Sequence, residues 1–285
     1  MCRLFGLHAG REPAQATFWL LEAPGSLLEQ SRRNPDGFGL GTFDASACPV
    51  VDKAPLAAHV AEVFAREARE ACSTTFVAHV RYASVGALTF ENSHPFGLDG
   101  RLFAHNGVVG DLDRVEAELG DVRAALLGTT DSERLFALIT RRIRDHDGDV
   151  LAGIRSAVRW MAEEVELYSL NFVMTTAEEL WALRYPEGNE LWLLDRTPDE
   201  APLAEHGSHG EITVRMDAAI ERPVVVVASE RMDDDPRWRE LRPGELLRVG
   251  PDLGISLRQV IDEPPRHLME LTGRAAASQE ESVSA

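Results

Sequence analysis

MCRLFGLHAG, residues 1–10, places a cysteine directly after the first methionine. Removal of Met1 would make Cys2 the N-terminal residue, and its free α-amine, with an ordinary pKa of about 7.7–8.0, can accept the proton of its own thiol. Attack of the thiolate on an amide carbonyl forms a thioester, which water or another amine resolves. A cysteine in a strand is also commonly a small buried apolar residue. These ten residues therefore leave two hypotheses open, an N-terminal nucleophile and a core thiol.

The composition is that of a folded, soluble protein, with 44% hydrophobic and 27% charged residues among 285. The formal net charge of -18 argues against a nucleic-acid partner, because such affinity comes from clustered Lys and Arg. We expect no membrane partner and a cytoplasmic location, since no run reaches the roughly 18 apolar residues that span a bilayer and no secretion pattern opens the chain.

The cysteines and motifs predict neither a metal site nor a cofactor. Cys2, Cys48 and Cys72 form no CxxC pair and have no histidine at metal-ligand spacing, so we also expect no disulfide framework. The sequence contains no GxxxxGK(S/T) phosphate-binding loop.

Short apolar segments bounded by Gly, Pro, Asp or Asn predict strands in both halves of the chain. Helical spacing of apolar residues predicts amphipathic helices between them. Because strands and helices come in blocks without regular alternation, we expect an α+β fold with two stacked antiparallel sheets covered by helices. The predicted strands are 2–8, 37–43, 73–82, 101–107, 168–176 and 222–230, and the predicted helices are 55–72, 131–146 and 150–165.

ELWALRYPEGNELWLLD, residues 179–195, resembles a hairpin whose turn is YPEGN. No linker rich in Pro, Gly or Ser separates the halves, which favours a single domain over residues 2–270. The small and polar residues 271–285 are expected to form a disordered tail.

Asn106 and Gly107 end the predicted strand 101–107. A side-chain amide and a nearby backbone N–H can converge on one point, which a tetrahedral oxyanion requires. The dipeptide Asn-Gly is also the commonest tight hairpin turn, so the turn remains an alternative.

Arg81 and Asp131 are complementary charges for the backbone end of a free amino acid. A guanidinium fork at a strand end suits a carboxylate, and a carboxylate at a helix start suits an ammonium group. The ordinary alternatives are a surface ion pair for Arg81 and a helix cap by Asp131 with Ser132.

Two polar loops supply weaker candidates. ENSHPFG places His94 before a proline, and RRNPDGFG places Arg33, Asp36 and Gly37 in a turn that leads into a strand.

Six ordered motifs together are far more specific than any one of them, and their order resembles the class II glutamine amidotransferase family of the N-terminal nucleophile type. Within that family the chain is most similar to the short stand-alone, YafJ-like members. The motifs are MCRLFG, NPDGFG, VRYAS, NSHPFG, FAHNG and TDSE.

The resemblance implies a four-layer α-β-β-α sandwich and a glutaminase reaction. Cys2 would attack the glutamine side-chain amide, release ammonia and leave a γ-glutamyl thioester for hydrolysis to glutamate.

The resemblance also implies roles for the polar residues. Asn106 and Gly107 would form the oxyanion hole, Arg81 would bind the α-carboxylate and Asp131 the α-ammonium. The remaining pocket residues would be Ser84, His94 and the turn with Arg33, Asp36 and Gly37. Val85 stands where family members fused to a synthase commonly have histidine, which puts one substrate contact in doubt.

The fate of the released group stays open at this point. A separate synthase subunit is one expected partner, since little chain remains for a second active site in this polypeptide. Hydrolysis of another γ-glutamyl amide is an alternative, as in the similar amidohydrolase of ergothioneine synthesis. A catalytically silent scaffold or regulatory subunit is the third hypothesis.

Overall fold

Two sheets dominate the computed structural model, which describes residues 2–83, 87–197, 222–273 and 276. The first sheet has seven antiparallel strands in the spatial order β11-β9-β10-β1-β4-β2-β3. Its strands are Arg3–His8 (β1), Phe38–Phe43 (β2), Pro49–Ala54 (β3), Thr75–Val80 (β4), Trp192–Asp195 (β9), Val225–Ala228 (β10) and Arg239–Glu240 (β11).

The second sheet runs in the order β13-β12-β8-β7-β6-β5, and β14 joins it by a short parallel pairing with β7. Its other neighbouring strands are antiparallel. Its strands are Phe96–Leu98 (β5), Arg101–Val109 (β6), Glu166–Thr175 (β7), Leu180–Leu183 (β8), Glu245–Val249 (β12), Ile255–Gln259 (β13) and His267–Leu268 (β14).

Helices cover the outer face of each sheet. The α-helices are Leu27–Gln30 (α1), Glu62–Glu70 (α2), Leu112–Ala117 (α3), Asp131–Asp145 (α4) and Val150–Glu164 (α5). A π-helical turn spans Phe18–Glu22, and 3₁₀ turns span Ala58–Val60 and Gly120–Ala125. Within the described ranges, no helix is both long and apolar enough to cross a membrane.

Three apolar clusters hold the layers together. One lies between the first sheet and its helices and includes Phe5 and Phe64, and another lies under α4 and α5 and includes Phe136. The third fills the space between the sheets and includes Leu4 and Val173. Alternating side chains along each strand therefore face a helix layer and the other sheet in turn. This is the predicted α+β, four-layer α-β-β-α sandwich.

Hydrogen bonds between the two sheets mark one end of the sandwich. At this end Thr75 Oγ1 donates to the carbonyl of Thr176 over 2.6 Å, and His8 Nε2 lies 2.8 Å from the carbonyl oxygen of Glu178. Because β1 and β4 are antiparallel, the start of β1 and the end of β4 lie at the opposite end. The beginning of β7 and the end of β6 lie there too.

The predicted hairpin over 179–195 is wrong. Its two strands, β8 and β9, belong to different sheets, so the segment between them crosses from one sheet to the other. Turn residues in YPEGN favour a reversal but do not determine which strand becomes the partner.

The predicted helix 55–72 is shorter in the structure, because a 3₁₀ turn ends at Val60 and the α-helix begins only at Glu62. The predicted helices 131–146 and 150–165 are confirmed to within one residue as α4 and α5. The domain bounds of 2–270 stay a prediction. In the predicted tail, residues 274, 275 and 277–285 lie outside the described residues.

Candidate active site

Cys2 directly precedes β1 and its thiol meets the peptide group of Tyr82, just beyond β4. The Tyr82 N–H donates to Cys2 Sγ over 3.2 Å, and the thiol donates to the Tyr82 carbonyl over 3.2 Å. Burial raises the pKa of the thiol, while the hydrogen bond to Tyr82 and the positive charge of Arg81 act in the opposite direction. An N–H donor beside sulfur favours the thiolate, the form that attacks a carbonyl.

Asn106 and Gly107 lie inside β6, paired with Asn171 and Leu170 of β7. The alternative interpretation as a hairpin turn is therefore wrong. Asn106 is 4% exposed, and its Nδ2 has no hydrogen-bond partner among the described residues. A buried amide without a partner costs stability unless a ligand satisfies it, so this donor is suited to a substrate oxygen.

Gly107 lies where β7 leaves no room for a side chain. A Cβ atom on Gly107 would stand 1.9 Å from the carbonyl oxygen of Ser169. Any other residue would therefore push β6 away from β7 and move the neighbouring Asn106.

A buried polar network holds the carbonyl of Asn106 in place. Ser169 Oγ donates to it over 3.2 Å and Asn189 Nδ2 over 3.3 Å. Asn171 Nδ2 in turn donates to the carbonyl of Asn189 over 3.0 Å, and Asn171 Oδ1 accepts the N–H of Tyr185 over 2.9 Å. The segment that crosses between the sheets is thus tied directly to Asn106.

Arg81 follows β4 and is 4% exposed, so the alternative of a surface arginine is wrong. Its Nη1 donates to the carbonyl of Ala87 over 3.2 Å. Burial lowers the pKa of the guanidinium, and the negative charges of Cys2, Asp36 and Asp131 oppose that effect. The backbone of this segment contacts two of these residues, since the N–H of Asp36 donates to the Arg81 carbonyl over 2.9 Å and the N–H of Tyr82 donates to Cys2 Sγ.

Asp131 begins α4 and is 6% exposed. Its Oδ2 accepts the N–H of Val109 over 2.9 Å, and its Oδ1 accepts the N–H of Ser132 over 2.9 Å. The helix cap is Thr130, whose hydroxyl accepts the N–H of Glu133. The Ser132 N–H belongs to the first turn of α4, so Asp131 also satisfies a free N–H at the helix start, as the capping alternative predicted.

His94 is buried, although its motif indicated a polar loop. Its ring lies 4.2 Å from that of His79 and 4.7 Å from that of Phe96 between centroids. Neither ring nitrogen of His94 has a partner among the described residues. Burial lowers the pKa of His94 well below its usual range, and it lowers the pKa of His79 to about 3.

The predicted turn before β2 lies near the same end of the sandwich. Asp36 Oδ2 accepts the N–H of Ala83 over 2.8 Å, and the N–H of Arg81 donates to the carbonyl of Gly37 over 2.8 Å. Arg33 is exposed and pairs with Glu230 over 3.0 Å. The turn therefore holds the backbone of residues 81–83 in place through Asp36 and Gly37, whereas Arg33 lies at the protein surface.

Ser84 and Val85 lie outside the described residues. Among the other predicted residues, the charges of Cys2, Asp36 and Asp131 all act on the pKa of Arg81. Sequence reasoning missed Tyr82, Ser169, Asn171, Asn189 and Glu230, which support the predicted residues. Only Tyr82 stood inside one of the six ordered motifs, VRYAS. Its contact with Cys2 is made by the backbone, which a pattern of side chains does not show.

A family model described as "Glutamine amidotransferases class-II" matches residues 1–262. The chain belongs to this family. The Escherichia coli (strain K12) protein YafJ, described as a glutamine amidotransferase, is 26% identical over 258 residues, which cover 86% of this chain and 96% of YafJ. Family membership implies a glutamine amidotransferase enzyme.

Solved structures show the same fold. A glutamine aminotransferase class-II domain protein from Silicibacter pomeroyi has a TM-score of 0.60 at 22% identity and covers 90% of this chain and 99% of its own. The glutamine phosphoribosylpyrophosphate amidotransferase of B. subtilis has a TM-score of 0.65 at 21% identity. That match covers 94% of this chain but 51% of the B. subtilis chain.

Proposed function

We propose that this protein hydrolyses the side-chain amide of glutamine with Cys2 as its N-terminal nucleophile. After Met1 is removed, the α-amine of Cys2 takes the thiol proton and the thiolate attacks the amide carbon. The carbon–nitrogen bond breaks, the proton passes to the leaving nitrogen and ammonia departs. Water then cleaves the γ-glutamyl thioester, which yields glutamate and restores the thiol.

The observation that carries the proposal is the buried Nδ2 of Asn106, which has no partner among the described residues. In the proposed reaction this donor and the N–H of Gly107 stabilise the oxyanion of the tetrahedral intermediate. The donor is then satisfied only when substrate is present, which explains why the fold leaves it unpaired.

The proposed roles of Arg81 and Asp131 follow from charge. Arg81 binds the α-carboxylate of glutamine and Asp131 its α-ammonium group. Both side chains are buried, and the charge of Asp131 acts to raise the pKa of Arg81, which supports a shared role for the two in binding one amino acid. Ser84, His94 and the Arg33 turn complete the pocket in this proposal.

The proposal extends to the ammonia acceptor, which we place on another polypeptide. The sequence has no GxxxxGK(S/T) loop for an activated phosphate substrate of its own. A partner that consumes ammonia should increase glutaminase activity when the two proteins are mixed.

Glutamate release by purified Cys2→Ala protein tests the nucleophile. We expect Cys2→Ala to abolish release while the thermal unfolding midpoint stays within a few degrees of the wild-type value. Cys72→Ala is the matched control, because Cys72 is an exposed cysteine and should be dispensable. Unchanged glutamate release by Cys2→Ala would overturn the proposal and favour a silent scaffold.

A further inference from the structure

Lys53 is the only lysine in a sequence in which Lys and Arg together number 29. It lies in β3 and is half-buried. Its ammonium group donates to the carbonyl of Ser93 over 2.7 Å and to that of Pro95 over 3.2 Å. An ammonium group is a compact charge with three donors, whereas the guanidinium used elsewhere in the chain is flat and broad. The single lysine therefore lies where two carbonyl groups meet one small cation.

Aromatic rings and a close backbone contact complete the surroundings of this ammonium group. Its Nζ lies 4.8 Å from the ring centroid of Phe90 and 5.3 Å from that of Phe96, distances at which a ring face attracts a cation. On β2, Gly39 pairs with Lys53, and a Cβ added to Gly39 would lie 1.9 Å from the carbonyl oxygen of His94. Strands β2 and β3 therefore hold the His94 backbone against the first sheet.

Residues 87–95, called the 87–95 loop below, are tied together by hydrogen bonds. Ser93 Oγ donates to the carbonyl of Thr89 over 2.8 Å. The N–H of Thr89 donates to the carbonyl of Ala87 over 3.0 Å, and Asn92 Nδ2 donates to the same carbonyl over 3.1 Å. A hold on Ser93 is therefore transmitted to Ala87 at the other end of the loop.

The loop contacts the segments that carry both proposed substrate-binding charges. Arg81 Nη1 donates to the carbonyl of Ala87 over 3.2 Å. Asn92 Oδ1 accepts the N–H of Thr129 over 2.8 Å, two residues before Asp131. Hydrogen bonds therefore connect the loop to the guanidinium of Arg81 and to the backbone that leads into α4.

We propose that Lys53 is a positioning residue for glutamine binding, which fixes the 87–95 loop and through it orients Arg81 and the start of α4. This inference rests on the proposed function and adds to it a residue outside the six motifs. In this role Lys53 acts through the loop and not on the reacting atoms. Its loss should therefore weaken substrate binding and leave the chemical step nearly unchanged.

The charge of Lys53 should make this hold depend on pH. Burial lowers the pKa of Lys53 to about 8, and the carboxylates of Glu133 in α4 and Glu91 in the loop act in the opposite direction. His94 also interacts with Lys53, and its pKa lies well below its usual range, so that ring stays neutral. A neutral amine makes weaker hydrogen bonds to carbonyls than an ammonium group and is not attracted to ring faces. The hold on the loop should weaken as the pH rises through 8.

The KM of Lys53→Met for glutamine, measured at pH 7 and pH 9, tests this inference. Methionine keeps a long apolar side chain but has neither a donor nor a charge. At pH 7 we expect KM about tenfold above the wild-type value with kcat within about twofold. A loss of stability alone would instead lower kcat by reducing the active fraction, without changing KM.

At pH 9 the ratio of the two KM values should fall to about two- to fourfold, because wild-type Lys53 has then lost most of its charge. Titration of glutamine and of the Cys2 amine affects both proteins alike and cancels in the ratio. Arg101→Met is the matched control, since Arg101 is also a half-buried base that donates to a backbone carbonyl, that of Asp99. Arg101 begins β6, away from Asn106, and its loss should leave KM unchanged at both pH values.

Phe90→Leu is a milder second variant, because Phe90 is 53% exposed and lies outside the apolar core. It should raise KM about two- to threefold in the wild type through loss of the ring beside the ammonium group. In the Lys53→Met background it should have no further effect, since the cation is already absent.

The outcomes separate this inference from the proposed function. An unchanged KM for Lys53→Met, or a KM ratio that is the same at pH 7 and pH 9, would overturn the inference and leave the proposed function intact. If Lys53→Met does not fold, equal KM values for Phe90→Leu and the wild type would overturn it. A wild-type protein that releases no glutamate from glutamine would overturn the proposed function and this inference with it.

Discussion

The backbone N–H of Val109 donates to Asp131 Oδ2 over 2.9 Å, which joins the strand of Asn106 to the first residue of α4. The other carboxylate oxygen of Asp131 accepts the N–H of Ser132. Ser132 continues the link, since its hydroxyl lies 2.9 Å from His105 Nδ1. The proposed ammonium-binding carboxylate and the proposed oxyanion hole are therefore positioned by one buried network.

Asp131→Asn should impair both substrate binding and folding. The amide keeps one acceptor but turns an N–H₂ group toward an N–H donor, which should cost about 1–3 kcal/mol of unfolding free energy. Loss of the negative charge should raise KM for glutamine more than it lowers kcat. Steady-state kinetics and urea unfolding measure the two effects. Asp113→Asn, at an exposed site, is the control, and an unchanged KM would remove Asp131 from ammonium binding.

Asn106→Ala should lower kcat about 100- to 1000-fold, as expected for loss of one oxyanion donor. Stability should change little, because Nδ2 has no partner among the described residues whose loss would be felt. Thr140→Val is a matched control, because the Thr140 hydroxyl is also a buried polar group without a partner in the described ranges. This control should leave kcat unchanged. A near-normal kcat for Asn106→Ala would contradict the assigned role.

Asn189→Ala should lower kcat about 10- to 100-fold with a smaller effect on KM, because it releases the carbonyl of Asn106. The double variant Asn106→Ala, Asn189→Ala should be no slower than Asn106→Ala alone, since Asn189 acts through Asn106. Fully additive losses in kcat would show that Asn189 acts independently of the oxyanion hole.

The buried histidine pair should make the fold sensitive to acid. Burial holds the pKa of His79 at about 3, below its ordinary value of 6.5, and the charges of Arg81 and His105 add to the effect. The unfolded chain therefore binds more protons, so this stability is present above about pH 6.5 and is lost as the pH falls toward 3. His94 shifts in the same direction.

Urea unfolding between pH 7 and pH 4 measures this loss. The free energy of unfolding should fall by on the order of 1.4 kcal/mol per pH unit for each such histidine. His94→Phe should make the dependence shallower, whereas His267→Gln at an exposed site should leave it unchanged. Equal slopes for wild type and His94→Phe would contradict the account.

The spacing of apolar residues predicted the bounds of two helices well. In α4 and α5 the apolar residues keep helical spacing up to the cap, so the predicted and observed bounds nearly coincide. In residues 55–72 the same spacing extends over a 3₁₀ turn before α2, and the pattern does not reveal where the α-helix begins.

Long-range pairing accounts for the other errors. Asn106-Gly107 has the composition of a turn, yet pairing with β7 keeps it within a strand. The composition of YPEGN favours a turn whether or not the flanking strands pair with each other. Here β8 pairs with β7 and β9 pairs with β10, so the two flanking strands lie in separate sheets. Which sheet a strand joins depends on residues far away in sequence, which a local pattern does not contain.

The candidate site was predictable to the extent that chemistry demands particular side chains. The proposed reaction needs a nucleophile, an oxyanion donor and two charged groups for the substrate. The motifs contain residues of these types, namely Cys2, Asn106, Arg81 and Asp131. Ser169 and Asn189 were not predictable, because they contact the carbonyl of a residue 63 or 83 positions away. Only the folded chain shows which carbonyl they hold.

The intact mass of the purified protein, before and after exposure to 6-diazo-5-oxo-L-norleucine, tests the central claim most directly. This glutamine analogue alkylates nucleophiles that accept glutamine. We predict a starting mass that lacks Met1 and a single adduct that peptide mapping places on Cys2, with no labelling of Cys48 or Cys72. A protein that retains Met1 and acquires no adduct would contradict the assignment of Cys2 as an N-terminal nucleophile.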